Sequence, residues 1–200
     1  MLGLGFVLLG AAACTFGPPP PDDPMVSIEQ IERERAEKDR AFREGPDSPI
    51  PADKRDVLLP LRYYPPDPGM AVPAALKPFD EPPVVEMPTS TGTRRRYRLV
   101  GLLEFTLQGE QMSLGAFVPD GEPIKTLFVP FADATTGVET YPAGRYLDVH
   151  PTATGLYTID FNRAYNPYCA YNLAYECPFP PPSNRLKVPI RAGEKSPPDV

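Results

Sequence analysis

Residues 103–116, LEFTLQGEQMSLGA, alternate on both sides of Gly109. Leu103, Phe105 and Leu107 interleave with Glu104, Thr106 and Gln108, the two-residue period of a strand with one buried face. Gly109-Glu110 suits a two-residue II′ turn, which takes glycine at its first position. Setting Gln108 opposite Gln111 then pairs Leu107 with Met112, Phe105 with Leu114 and Leu103 with Ala116. That register places every apolar residue on one side of the hairpin.

Working outward, further strands are expected at residues 126–131, 144–150, 156–162 and 186–190, and one more at Arg62-Tyr63-Tyr64, followed by turns. Short strands punctuated by glycine and proline predict a mainly β fold, an antiparallel barrel-like domain or sandwich. Ahead of them, residues 28–44 read as the one N-terminal helix, with Ser27 as N-cap, Gln30 completing a capping box, and Gly45-Pro46 as the stop. Its apolar stripe is thin (Ile28, Ile31, Ala36 and Phe42), so its charged faces either meet water or meet a partner. From residue 46 to 88 proline-rich, extended chain is expected to wrap the domain.

The composition narrows the function. The chain has 200 residues, 20 basic against 26 acidic, for a net charge of −6. An acidic chain lacks the basic face that phosphate contacts need, so no nucleic-acid partner is expected. Thirty prolines exclude long helical bundles and doubly wound sheets. A hydrophobic content of 42% still supports one packed domain, placed at residues 27–200. No internal repeat is present.

The N-terminus carries an address. Residues 1–13, MLGLGFVLLGAAA, are apolar, uncharged and too short to span a bilayer, and Cys14 follows directly. Small residues before a cysteine resemble the lipobox of bacterial lipoproteins, in which the thiol is lipidated and the signal cut ahead of it. Residues 14–26, TFGPPPPDDP at their centre, then form a proline-rich stalk. The expected location is a bacterial cell envelope, at its periplasmic or extracellular face, with the membrane as partner through Cys14. The rival reading packs this apolar segment in the core.

Candidate chemistry is sparse. His150 is the single histidine, which leaves His-rich metal sites and Ser/His/Asp catalysis without support. No phosphate loop, GxGxxG, HExxH or CxxC is found, so no nucleotide, metal or other cofactor is expected. The run Arg94-Arg95-Arg96 with Arg98 either grips an anion or guards an edge strand. Two segments, residues 128–148 and 160–184, are dense in polar and aromatic side chains. They supply Asp133, Glu139, Tyr141, Arg145, Tyr146, Asp160, Asn162, Tyr165, Asn166, Asn172 and Asn184 as ligand-binding candidates. The same groups could instead form a satisfied buried network.

Three motifs, FxDxTxGxETYxAGRYLD, DFNxAYNPYCAYN and CPxPPxxNRL…IxAGEK, resemble those of the bacterial and archaeal family catalogued as domain of unknown function 1684. The likeness reaches back through Lys38-Asp39-Arg40, Ser48-Pro49, Tyr64-Pro65 and residues 87–92, and covers residues 30–195. It implies no activity. It does place the candidates above, together with Cys169, at motif positions.

With Cys14 lipidated, Cys169 and Cys177 remain as a pair, and in an oxidising envelope a disulfide is expected. Closing that loop would contribute about 2.5 kcal/mol. Free structural thiols and a reactive Cys169 are the alternatives. The functional expectation is an envelope lipoprotein whose domain binds a small molecule, glycan or protein. A hydrolase acting on an envelope glycan or lipid is the alternative, and would need two of Asp133, Glu139, Asp148 and Asp160 in one cleft, roughly 5–10 Å apart.

Overall fold

The structure, a computed structural model, describes residues 24–150 and 156–198. The expected signal, Cys14 and the stalk as far as Asp23 lie outside the described residues. Helix α1 (Pro24–Glu44) leads to the single-turn α2 (Arg55–Leu58). The strands β1 (Ala71–Pro78), β2 (Val84–Pro88), β3 (Arg94–Leu107), β4 (Glu110–Pro119), β5 (Leu127–Phe131), β6 (Arg145–Val149) and β7 (Tyr157–Asp160) follow. Neighbours pair antiparallel in the order β6-β5-β4-β3-β1-β7, with β2 laid beside the start of β3. Past β7, Tyr165 exchanges two backbone hydrogen bonds with Tyr146 of β6, at 2.9 and 3.0 Å. The end of the sheet thereby returns to its beginning, and the barrel nearly closes.

The expected β class and single long N-terminal helix are both present. Leu103, Phe105 and Leu107 of β3 fill the barrel interior with Leu114, Ala116 and Val118 of β4, Val129 and Phe131 of β5, and Ile159 and Phe161 beyond them. A second cluster holds α1 down: Phe42 packs with Ile50, Leu58, Leu59, Leu61 and Tyr171. A third lies under β2, where Met87 meets Tyr97 and Phe117.

Several local expectations are corrected. The helix begins at Pro24, so Ser27 lies within it rather than capping it, and proline at a first helical turn loses no hydrogen bond. The β3–β4 hairpin exists with the expected faces, but its register is displaced by two residues: Leu107 pairs with Glu110, Phe105 with Met112 and Leu103 with Leu114. The turn is Gln108-Gly109, with φ of 52° and 84°. Two successive left-handed residues make a type I′ turn, which shares with type II′ the twist that matches the flanking strands. A two-residue displacement conserves the parity of the pattern, which is why the buried face survives.

Residues 186–190 do not form a strand, because their backbone groups are taken elsewhere. Leu186 N–H donates to Ala132 at 2.8 Å, the Val188 carbonyl accepts from Ala134 at 3.2 Å, and Ile190 N–H donates to the Asp133 carboxylate at 3.1 Å. Arg62-Tyr63-Tyr64 forms only an isolated bridge, Tyr63 to Glu194. The basic run is not a bare edge either: Arg94 to Arg98 pair with β2, while Arg95 and Arg96 face Glu176 at 3.2 Å and Asp120 at 3.0 Å.

The turn chemistry is testable. Asparagine tolerates the left-handed region better than glutamine, so Gln108→Asn stabilises the domain by about 0.5 kcal/mol in urea unfolding. No gain would mean that Gln108 is not a turn residue.

Candidate functional site

The motif carboxylates and amides fall first into a buried network. Asp133, just past β5, and Arg145, opening β6, form an ion pair at 2.9 Å, and their side chains are 0% and 1% exposed. Asp133 also accepts from the Thr135 amide at 2.8 Å and the Thr135 hydroxyl at 2.6 Å. Arg145 donates to the carbonyls of Ile190 at 2.8 Å, Glu194 at 3.2 Å, and Ala192. Every one of these bonds reaches the C-terminal segment or the loop beside it. The pair therefore ties the tail to the barrel.

Glu194, 1% exposed, is the second node. Its carboxylate accepts from Lys38 of α1 at 2.6 Å, from the Tyr171 hydroxyl at 2.6 Å and from the Asn166 amide at 2.8 Å. Burial and this carboxylate push the Tyr171 hydroxyl far above its ordinary range, so it remains a donor. Gly193 precedes it with φ of 75°, and its backbone passes so near Ala164 that an added Cβ would lie 2.5 Å from the Ala164 carbonyl oxygen.

The remaining candidates take separate places. Asn184 bridges strands, accepting from the Gly115 amide at 2.7 Å and donating to Gly115 and Pro130 at 2.9 and 2.8 Å. Asp160 caps the short turn Phe161–Arg163, and Asn162 exchanges two bonds with the Asp67 backbone, both at 2.8 Å. Glu139 lies nearer the surface, held below the usual carboxylate range by Arg191 at 2.7 Å and then by the Tyr64 hydroxyl at 2.9 Å. Burial, followed by that carboxylate, pushes Tyr64 up to about 12. Asn166 donates to Lys195 at 2.8 Å, and Asn172 closes a local turn to Ala174 at 3.0 Å. Tyr141 points its hydroxyl at the Cys169 carbonyl, 3.4 Å away.

Tyr146 and Tyr165 are the two candidates that line an open cavity of about 580 Å³ between α1, the sheet and the loop carrying the cysteines. One wall is a chain of rings: Tyr97 stacks on Phe128 at 5.5 Å, Phe128 meets Tyr146 edge-on at 4.8 Å, and Tyr146 meets Tyr165 at 5.7 Å. Phe42, Tyr168 and Tyr175 form the other, at 6.0 and 5.2 Å. Lys38 lies over the Phe42 and Tyr165 rings at 5.3 and 5.1 Å. Asp148 accepts from the Tyr165 hydroxyl at 3.0 Å, and Arg95 faces Glu176 across the lining. Of Asp133, Glu139, Asp148 and Asp160, Asp148 alone borders this cavity, so the four carboxylates expected from the sequence do not pair in it; the other carboxylate of its lining is Glu176.

Several lining residues are not among the ligand-binding candidates named from the sequence: Lys38, Phe42, Arg95, Tyr97, Phe128, Tyr168, Tyr175 and Glu176. Local signals existed for some of them. Lys38 and Phe42 are one helical turn apart, and Arg95 with Tyr97 share a strand face.

The expected disulfide is absent; Cys169 and Cys177 are free thiols. The loop is held without a crosslink. The Cys169 amide donates to the Cys177 sulfur at 3.1 Å, the Cys177 amide donates to the Ser90 hydroxyl at 3.1 Å, and the Ser90 hydroxyl donates to Tyr175 at 3.0 Å. Among the described residues, no three His, Cys, Asp or Glu side chains gather as metal ligands.

The ion pair gives the prediction of this section. Arg145→Met strands a buried carboxylate and lowers stability by about 3–5 kcal/mol in urea unfolding. Adding Asp133→Leu recovers part of that loss, because the uncompensated charge is gone. A single-variant loss below about 1 kcal/mol would show that the pair is not the tether described here.

No curated protein matches the chain. Among solved structures, a solution NMR structure of an uncharacterized protein from Haloarcula marismortui is 41% identical, covers 86% of this chain and 95% of its own, and superposes with a TM-score of 0.67. The family model described as "Protein of unknown function (DUF1684)" matches residues 59–195, and with the motif residues placed as above, the chain belongs to that family.

Proposed function

We propose that this protein is an envelope lipoprotein, anchored through Cys14, whose domain binds a small ligand in the aromatic cavity between α1, the sheet and the cysteine loop. The observation that carries the reading is the cavity itself. Its volume of about 580 Å³ falls in the range of small-molecule sites, which runs from roughly 300 to 1,000 Å³. Two walls of tyrosine and phenylalanine supply flat apolar area at low entropic cost. Lys38 and Arg95 with Asp148 and Glu176 supply charges of both signs at its margin. A ring-bearing ligand with a polar or charged end matches that lining.

Binding is measured with the aromatic anion 1-anilinonaphthalene-8-sulfonate, whose emission rises on entering an apolar site. The expected outcome is saturable enhancement, with affinity at least about tenfold weaker in Tyr168→Ala and Tyr175→Ala, since each loses one aromatic contact. Non-saturable binding, or equal affinity in the variants, overturns the reading.

The anchor has its own test. Wild-type protein expressed in a bacterial host is expected in the membrane fraction, with residues 1–13 removed and acyl mass on Cys14, whereas Cys14→Ser stays out of it. Equal distribution of the two forms, or an unmodified Cys14 with Met1 retained, refutes lipidation.

A further inference from the structure

We infer that Cys177 and Cys169 form a peroxidatic dithiol, in which the Cys177 sulfur attacks a hydroperoxide admitted to the aromatic cavity and Cys169 resolves the product. The inference goes beyond ligand binding and shares with it only the requirement that the cavity admit solutes.

Placement comes first. Cys177, 5% exposed, borders the cavity, while Cys169, 2% exposed, is not part of its lining. The two are in contact, because the Cys169 amide donates to the Cys177 sulfur at 3.1 Å. A backbone N–H aimed at sulfur favours its anion. Arg95 borders the same cavity, its charge shared with Glu176 at 3.2 Å. The electrostatics agree with that geometry. Hydrogen bonding from Cys169, opposed by burial and aided by Arg95, lowers the Cys177 thiol from its ordinary value, while Cys169 is pushed up by its bond to Cys177 and by burial. The sulfur that accepts the backbone N–H is thus the one favoured as thiolate, and its neighbour is the one held as thiol.

The chemistry balances. The Cys177 thiolate attacks the distal oxygen of ROOH, so an S–O bond forms as the O–O bond breaks. The alkoxide leaves and takes a proton from water as ROH; sulfur is oxidised by two electrons and the peroxide reduced. Arg95 is placed to stabilise the negative charge growing on the leaving oxygen. The Cys169 thiol then attacks the sulfenic sulfur, an S–S bond replaces the S–O bond, and hydroxide departs with the Cys169 proton as water. Hydrogen peroxide and an organic hydroperoxide share this chemistry, and the aromatic walls favour the organic one.

The test uses the full chain carrying Cys14→Ser, which leaves Cys169 and Cys177 as the only two of the three thiols. Hydrogen peroxide, cumene hydroperoxide and iodoacetamide are compared with free cysteine at pH 7. Thiolate fraction alone raises alkylation by less than about tenfold, because a low-pKa thiolate is also a weaker nucleophile. The expected hydroperoxide enhancement is at least about 100-fold, with cumene hydroperoxide the faster arm and a mass loss of about 2 Da. With Cys169→Ser, dimedone is expected on Cys177. Arg95→Met is expected to slow the hydroperoxide step at least tenfold while iodoacetamide changes less than threefold, which separates lost assistance from a disturbed fold. A hydroperoxide enhancement no larger than that for iodoacetamide overturns the inference, as does dimedone on Cys169 in a Cys177→Ser variant at the rate seen for Cys177. Saturable dye binding without hydroperoxide chemistry overturns this inference alone, and the reverse pattern overturns the binding reading alone.

Discussion

The Asp133–Arg145 pair is the constraint on which the rest of the architecture depends. Taking two charges wholly out of water is costly, and the pair persists because nearly every oxygen and nitrogen it presents meets a backbone or hydroxyl partner. Those partners are not in the sheet. Apart from the Thr135 amide and hydroxyl, they are the carbonyls of Ile190, Ala192 and Glu194 and the amide of Ile190, so satisfying the charges requires the C-terminal chain to lie across the barrel. Once that chain is fixed, Glu194 is delivered beneath α1, where Lys38, Tyr171 and the Asn166 amide converge on it. Helix, tail and cysteine loop share one electrostatic framework, although they are far apart in sequence.

The cavity follows from that framework rather than from the sheet alone. Alternation along β6 sends Arg145 and Leu147 to one side and Tyr146 and Asp148 to the other, so the strand that carries the buried cation also carries a cavity wall. The Tyr146–Tyr165 bridge then brings the two tyrosine rings together at 89°. Lys38 does the same on the helix: its ammonium meets Glu194 while its stem and charge sit over the rings of Phe42 and Tyr165. On β6 and α1, scaffold and lining are formed by adjacent residues of the same elements.

Periodicity made the strands legible, because alternation at Leu103, Phe105 and Leu107 is a local signal. Parity protected the buried face even where the turn was placed one residue late, since the true register differs by two. The stretch 186–190 failed for the opposite reason. Its apolar residues do alternate, but the backbone partners that stop it from being a strand are Ala132, Asp133 and Ala134, fifty residues upstream. The polar motif residues were found by density, and density cannot separate a network from a cavity. Asp133 and Arg145 are ordinary surface-type residues until their partners at 190–194 are known. Glu194 and Tyr171, which hold the second node, stand as letters of two motifs, but nothing local marks them as partners, because their pairing spans helix, loop and tail. The cavity aromatics come from four separate regions, so no window of sequence contains the site.

The cysteine loop shows how far a composition argument reaches. An even pair of cysteines in an exported chain predicts a covalent staple when the segment has no other means of staying ordered. Here the segment has such means. Tyr146 donates to the Pro178 carbonyl at 2.6 Å, Thr89 bridges to Pro178, Ser90 links Tyr175 and Cys177, and Tyr171 is anchored on Glu194. Prolines at 178 and 180–182 restrict the unfolded chain further and so lower the entropy lost on ordering. With order supplied by hydrogen bonds and proline, the two thiols are released from a structural duty, and a sulfur that takes a backbone N–H at the edge of an aromatic cavity is free to be chemistry instead.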